Sequence, residues 1–206
     1  MRHLYLWATL AGPVLGGCEY LCDCDDCSSD PDTSVPDDEG DDLEYLDYRY
    51  VRIDDLSDDE REGTPGAEID AVELRSSTGS PKGYAVNVHA YAPMNEDINE
   101  HMDSYEAVGP PSSECYNDRG FVNLGGFGGY IILDFGTHII EDNDTIIVYE
   151  VGGCEVDGGG MTLLDPIAVS VSTQADPGGP RTELGFCAGG TCTFPVGTLP
   201  LIVAED

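Results

Sequence analysis

The feature that most limits how this chain can fold is a series of short β-rich runs, each cut off by Gly, Pro or Asp. Tyr48-Arg49-Tyr50-Val51-Arg52-Ile53 alternates in period two, as a strand with one buried face does. Glu68–Leu74 and Tyr84–Tyr91 are further strand candidates, and Ile167–Thr173 alternates cleanly in the same way. Tyr130–Phe135 and Thr145–Val151 are dense in β-branched and aromatic residues, which suit a pleated, half-buried surface. Thr182–Phe186, Thr191–Phe194 and Leu199–Ala204 complete the set. Turn signals stand between the runs: Gly125-Gly126, Gly128-Gly129, Asp142-Asn143-Asp144, Gly158-Gly159-Gly160 and Asp176-Pro177-Gly178-Gly179. No stretch has the 3.6-residue periodicity of an amphipathic helix, although residues 94–107 have room for one short helical turn. No repeat of fixed period is present. About nine short strands without helices predict an all-β chain, an antiparallel sandwich.

The amino-terminal end is different. Arg2 and His3 precede an uncharged apolar run, Leu4–Leu15, and then Gly16-Gly17-Cys18. A basic start, a short apolar stretch and a small-residue ending describe a secretory signal peptide. The run is too short to cross a bilayer as a helix, which takes about 20 residues. Leu15-Gly16-Gly17-Cys18 resembles the lipobox of bacterial lipoproteins. That resemblance implies cleavage before Cys18 and lipidation of Cys18, with the bilayer as a partner and the cell envelope, outer membrane or cell surface, as the location. The alternative is an ordinary signal peptide cut near Gly17, leaving Cys18 as one more thiol.

Residues 18–43 are rich in Asp, Ser and Pro and almost lack large apolar side chains. Such a stretch cannot bury enough surface to offset the entropy of ordering, so a disordered acidic tether is expected there. The expected organisation is a signal peptide over 1–17, a tether over 18–43 and a sandwich domain over 44–206. The chain carries 41 acidic residues against 8 Lys+Arg, a formal net charge of −33. That argues against nucleic-acid binding, which needs basic surface facing phosphates. It favours solubility and affinity for divalent cations.

Several elements together resemble a bacterial cell-surface domain. Tyr84–Val88 is followed by Ala107-Val108-Gly109-Pro110-Pro111, then Phe121-Val122-Asn123-Leu124-Gly125, then Gly128-Gly129-Tyr130-Ile131-Ile132-Leu133-Asp134-Phe135. Asp142-Asn143-Asp144 then leads into Thr145–Glu150, and Val169-Ser170-Val171-Ser172 follows. The order is similar to that of the galactose-binding-like, discoidin-type β-sandwich superfamily, a jelly-roll fold. Tyr50-Val51-Arg52-Ile53 and Gly66–Glu73 match two further elements of that family, which often close its domain but here precede Tyr84. Chain termini that lie close together would allow such a permutation. The resemblance covers roughly residues 48–195 and implies carbohydrate binding as the function.

An exported chain meets an oxidising compartment, where disulfides are the default. Cys187 and Cys192 flank a Gly-containing loop and are expected to bond. Cys115 with Cys154 follows by elimination, although four cysteines allow three pairings. Cys22, Cys24 and Cys27 crowd the tether; they lack a fourth metal ligand at familiar spacing, so disulfide formation with one odd cysteine is favoured over a metal site. Calcium is the better-motivated ion: Asp142 and Asp144 share one tight loop, and calcium takes six to eight oxygens. The alternative is a solvated turn in which Asp and Asn suit the backbone geometry.

Enzymatic patterns are missing from the sequence. His89, His101 and His138 are scattered, and there is no metal-binding His spacing, nucleophile elbow or P-loop. The expected role is a non-catalytic envelope binding module, for glycan; the alternative is an assembly protein that contacts another envelope protein. Tyr91, Tyr105 and Tyr116, with Asn117 and Asp118, lie in or beside the long segment 92–120 and are the aromatic and polar side chains to watch.

Overall fold

Alternating runs pair edge to edge when each has one face to hide, and here they form two sheets. A computed structural model of the chain describes residues 45–58, 65–94, 101–112, 120–151 and 165–204. The strands are β1 (Tyr50–Asp55), β2 (Glu68–Arg75), β3 (Pro81–Tyr84), β4 (Asn87–Ala92), β5 (Val122–Asn123), β6 (Tyr130–Asp134), β7 (Thr145–Glu150), β8 (Ile167–Ser172), β9 (Thr182–Cys187) and β10 (Thr191–Pro195). One sheet runs β4-β6-β1-β8-β9; the other runs β10-β7-β2-β3, with β5 also on β2. All pairings are antiparallel. The fold is an antiparallel β-sandwich, as the strand pattern predicts.

The core lies between the sheets. Val51 and Ile53 of β1, Ile69, Val72 and Leu74 of β2, Ile131 and Leu133 of β6, Ile146 and Val148 of β7, and Ile167, Val169 and Val171 of β8 are buried together. Each such side chain contributes roughly 1.5–3 kcal/mol of transfer free energy. Tyr50, Arg52 and Asp54 alternate with Val51 and Ile53 and lie on the opposite face of β1.

Two expected elements differ. The run Tyr84–Tyr91 is not one strand. The amide of Ala85 donates to Val72 O in one sheet, and the next amide, Val86, donates to Asp134 O in the other. The chain therefore changes sheets at Ala85-Val86, which separates β3 from β4. Leu199–Ala204 makes only an isolated bridge, Val203 with Tyr45; Pro200 has no amide to donate to a ladder. That bridge, with Leu46 N donating to Ile202 O at 2.9 Å, brings the two ends of the described domain side by side. Within 94–107 the described part holds a single 3-10 turn, Ser104–Ala107, capped by Asp103, which accepts from the Tyr105 amide.

Four ladder shifts each leave one residue out of register: Asp70 in β2, Lys82 in β3, His89 in β4 and Leu184 in β9. Bulges re-aim side chains and bend the strand that carries them.

The end of β1 is tied down by one buried carboxylate. Asp55 is 1% exposed. Its Oδ1 accepts from the amide and hydroxyl of Ser57 at 2.9 and 2.7 Å. Its Oδ2 accepts from the amides of Ala67 and Gly126 at 2.7 and 2.9 Å. Three separate loops thereby converge on one side chain. Gly66, at φ +87°, passes so close that a Cβ there would collide with Asp55 Oδ2 and Gly126 N.

Candidate functional site

The outer face of the β4-β6-β1-β8-β9 sheet carries an unusual concentration of aromatic, charged and hydroxyl side chains. Arg52 stands between Ile132 of β6 and Ser170 of β8. Its guanidinium lies 3.9 Å over the Tyr130 ring, grips Asp54 with Nε at 2.9 and 3.0 Å from its two oxygens, and donates through Nη1 to Pro177 O at 2.8 Å. Pro177 belongs to the turn before β9, so Arg52 holds that turn against the sheet.

Beside Arg52 is a groove of about 150 Å³, lined by Asp54, Leu56, Ser170, Arg181, Glu183 and Phe186, with Ala168, Val169 and Gly185 completing it. The bulge in β9 shapes it. Glu183 faces Ser170 and Gly185 faces Val169, so Leu184 is the extra residue. Glu183 and Phe186, three apart, therefore both reach the groove; strict alternation would put them on opposite faces. Gly185 sits at φ +142°, which side-chain-bearing residues adopt with strain.

Two side chains of this groove are in states that folding alone does not favour. Phe186 is 81% exposed on an edge strand. Ser170 is 3% exposed, and its Oγ has no hydrogen-bond partner among the described residues. Leaving a buried hydroxyl unsatisfied costs on the order of 1–3 kcal/mol.

The other end of the same face holds His89. Its Nε2 pairs with Asp134 Oδ2, while Oδ1 accepts from Asn87 Nδ2 at 3.0 Å and from the Gly136 amide at 2.7 Å. Burial pushes the Asp134 carboxyl up, but the bonds from His89, Gly136 and Asn87 outweigh it and hold its pKa below the ordinary value. The Tyr50 ring meets the His89 ring edge-on at 4.8 Å. Among the described residues neither His89 nor Asp134 bonds to a Ser, Thr or Cys side chain.

Of the residues singled out from sequence, Cys187 and Cys192 are joined, with Cα atoms 6.1 Å apart. The bond links β9, an edge of one sheet, to β10, an edge of the other, next to Phe186. Cys18, Cys22, Cys24, Cys27, Cys115, Cys154, Tyr116, Asn117 and Asp118 lie outside the described residues. Tyr91 is used in packing: its hydroxyl donates to Asn123 O at 2.6 Å, and burial pushes its pKa up to about 12. Tyr105 is 61% exposed.

In the calcium candidate loop the two aspartates already have partners. Asp142 Oδ1 accepts from the Leu199 amide at 2.8 Å. Asp144 is buried, and its Oδ2 accepts from Lys82 Nζ at 2.8 Å and the Glu141 amide at 2.9 Å. Lys82 Nζ also reaches Glu141 Oε2 at 2.6 Å and Ile139 O at 3.0 Å. The cation facing Asp144 is the chain's own ammonium. Among the described residues no group of three or more His, Cys, Asp or Glu side chains is placed to hold a metal ion.

Phe186 and Ser170 escape a reading of the sequence. Thr182–Phe186 reads as an ordinary strand, and Ser170 as an ordinary member of an alternating one. The available signal is Gly185, since a glycine inside a strand pattern marks a bulge. Comparison with family models, curated proteins and solved structures finds no match to this chain.

Proposed function

We propose that this chain is an exported binding module, lipid-anchored through Cys18 at the cell envelope, that holds carbohydrate without transforming it. The observation that carries the reading is the groove on the outer sheet face, whose lining combines the 81% exposed Phe186 with the polar side chains of Asp54, Arg181 and Glu183. Sugars present an apolar face and a rim of hydroxyls, and such a pairing of aromatic surface with a few placed polar groups is how small-ligand sites achieve orientation. The leader ending in Cys18 and the acidic stretch behind it support an anchored, outward-facing domain. The likeness to galactose-binding-like sandwiches supports the same assignment, with the two-sheet architecture as its frame.

A glycan array probed with the full exported chain tests the binding function. Reproducible glycan signals are expected; no glycan signal together with reproducible capture of one envelope protein would replace this reading with an assembly role. Metabolic labelling with a fatty acid tests the anchor, and an unlabelled product would refute it.

A further inference from the structure

We infer that Asn143 is an N-glycosylation site, the acceptor of one oligosaccharide added to the exported chain, an assignment that rests on the export reading above. The chain has six asparagines, Asn87, Asn95, Asn99, Asn117, Asn123 and Asn143, and only Asn143 stands two residues before a Ser or Thr. Asn143-Asp144-Thr145 is the acceptor motif N-x-S/T, with a middle residue other than Pro. Such a motif is used on the surface loops of secreted proteins.

The fold puts the motif where it can be used. Asn143 is exposed in the turn that leads into β7, at φ +64°. Main-chain groups fix that turn. The Asn143 amide donates to Val196 O at 2.9 Å, the Val196 amide to Asp144 O at 2.7 Å, and the Asp144 amide to Glu141 O at 3.1 Å. Among the described residues the Asn143 side chain makes no hydrogen bond, and neither does the hydroxyl of Thr145, half-buried at the start of β7. Asp144, between them, is 2% exposed and held by Lys82. The fold therefore takes up the middle side chain, whose identity the motif leaves open, and leaves the two that the motif specifies without an internal bond. A turn at positive φ accounts for Asn or Gly at this position, but it does not call for a hydroxyl two residues later. Because the Asn143 side chain is exposed in the finished domain, a sugar attached to it does not obstruct folding.

An amide nitrogen is a weak nucleophile, so the sugar donor must carry a good leaving group and the transfer needs an enzyme. The donor is a polyprenyl-pyrophosphate-linked oligosaccharide, and the catalyst is a membrane-bound transferase of the envelope. Nδ2 of Asn143 attacks the anomeric carbon of the donor. The bond from that carbon to the pyrophosphate oxygen breaks, and its electron pair leaves with the polyprenyl pyrophosphate. The new nitrogen–carbon bond forms, and one Nδ2 proton passes to a base of the transferase. The exchange needs no oxidant or reductant. A chain anchored through Cys18 stays at the membrane that holds a lipid-linked donor. β7 belongs to the β10-β7-β2-β3 sheet, whereas the groove is lined by β1, β8 and β9 of the other, so the attached sugar and the groove belong to different sheets.

The test takes the full chain from the cells that make it, records the fraction in which it is found, and maps the peptide carrying Asn143 by mass spectrometry. A mass increase of at least one sugar residue is expected on that peptide, with a matching shift in electrophoretic mobility. Asn143→Gly keeps a residue suited to positive φ, and Thr145→Val keeps the asparagine and suits a strand; each should abolish both signals. Thr145→Ser should retain them. The two abolishing variants should keep the far-UV circular dichroism of the parent chain, since neither replaced side chain has an internal hydrogen bond to lose among the described residues. An unmodified Asn143 peptide in chain recovered from the envelope overturns the site while the export reading stands. A sugar retained in Thr145→Val overturns the motif as its cause. Chain recovered only from the cytoplasm overturns the export reading and this inference with it.

Discussion

Removing the charge of Asp55 should destabilise the domain strongly, because four hydrogen bonds end on its carboxylate. The four donors divide evenly: Ser57 N and Oγ on Oδ1, Ala67 N and Gly126 N on Oδ2. In Asp55→Asn only one oxygen remains. Either orientation of the amide keeps two of the bonds and points an NH₂ group at the donors of the other two. Hydrogen bonds to a charged group contribute about 1.5–3 kcal/mol each, so losing two costs about 3–6 kcal/mol. That is comparable with the whole stability of a marginal domain, about 5–15 kcal/mol. At roughly 2–4 °C per kcal/mol for a domain of this size, the melting temperature should fall by roughly 6–24 °C. The only Trp in the chain is Trp7, outside the described residues, so far-UV circular dichroism with urea is the suitable probe. Ser57→Ala removes one bond of the four and should cost about 1.5–3 kcal/mol, half the effect of Asp55→Asn. A loss below about 1 kcal/mol in Asp55→Asn would show that the three loops do not depend on this carboxylate for their amides.

Three further predictions concern charge and cross-linking. Lys82→Met leaves the buried Asp144 without its cation and should cost about 2–3 kcal/mol, less than the 3–5 of a wholly buried pair because Lys82 is partly exposed. Burial lowers the Lys82 pKa, but the bonds to Asp144 and Glu141 outweigh it and raise it above 10.5, so its stabilisation is full below that pH and is lost as pH rises through the folded value; Lys82→Met should lack this alkaline loss in pH-dependent melts. Asp70 is pushed above 3.8 by burial, partly offset by Ser112 N donating at 2.9 Å. Its carboxylate therefore costs stability as pH rises through the folded value, and Asp70→Asn should be the more stable protein at pH 7 in urea titrations, with the difference vanishing at the acid end. Replacing Cys187 and Cys192 by Ser opens the β9–β10 link and should lower stability by about 2 kcal/mol on the chain-entropy model; an unchanged urea midpoint would refute a stabilising role for that bond.

The sandwich and most of its strands are legible in the residues because hydrophobic alternation is a local code. Tyr50–Asp55, Thr145–Glu150 and Ile167–Ser172 each declare a buried and an open face without reference to any other part of the chain. The Cys187–Cys192 bond is legible for the same reason: a short Gly-containing loop keeps its two ends near each other. What local pattern cannot state is where a ladder slips. Asp70, Lys82, His89 and Leu184 are out of register because their neighbouring strands pair one residue short. One slip puts His89 within reach of Asp134, another puts Lys82 between Asp144 and Glu141, and a third brings Glu183 and Phe186 to the same groove. The crossing at Ala85-Val86 is likewise invisible in the run Tyr84–Tyr91, because it depends on which carbonyls, Val72 O and Asp134 O, are there to accept. Sequence alone determined that this chain has two-faced strands and a sandwich to build from them. Tertiary structure decided which polar side chains meet, since register is settled by partners distant in sequence, and a one-residue shift exchanges one face of a strand for the other.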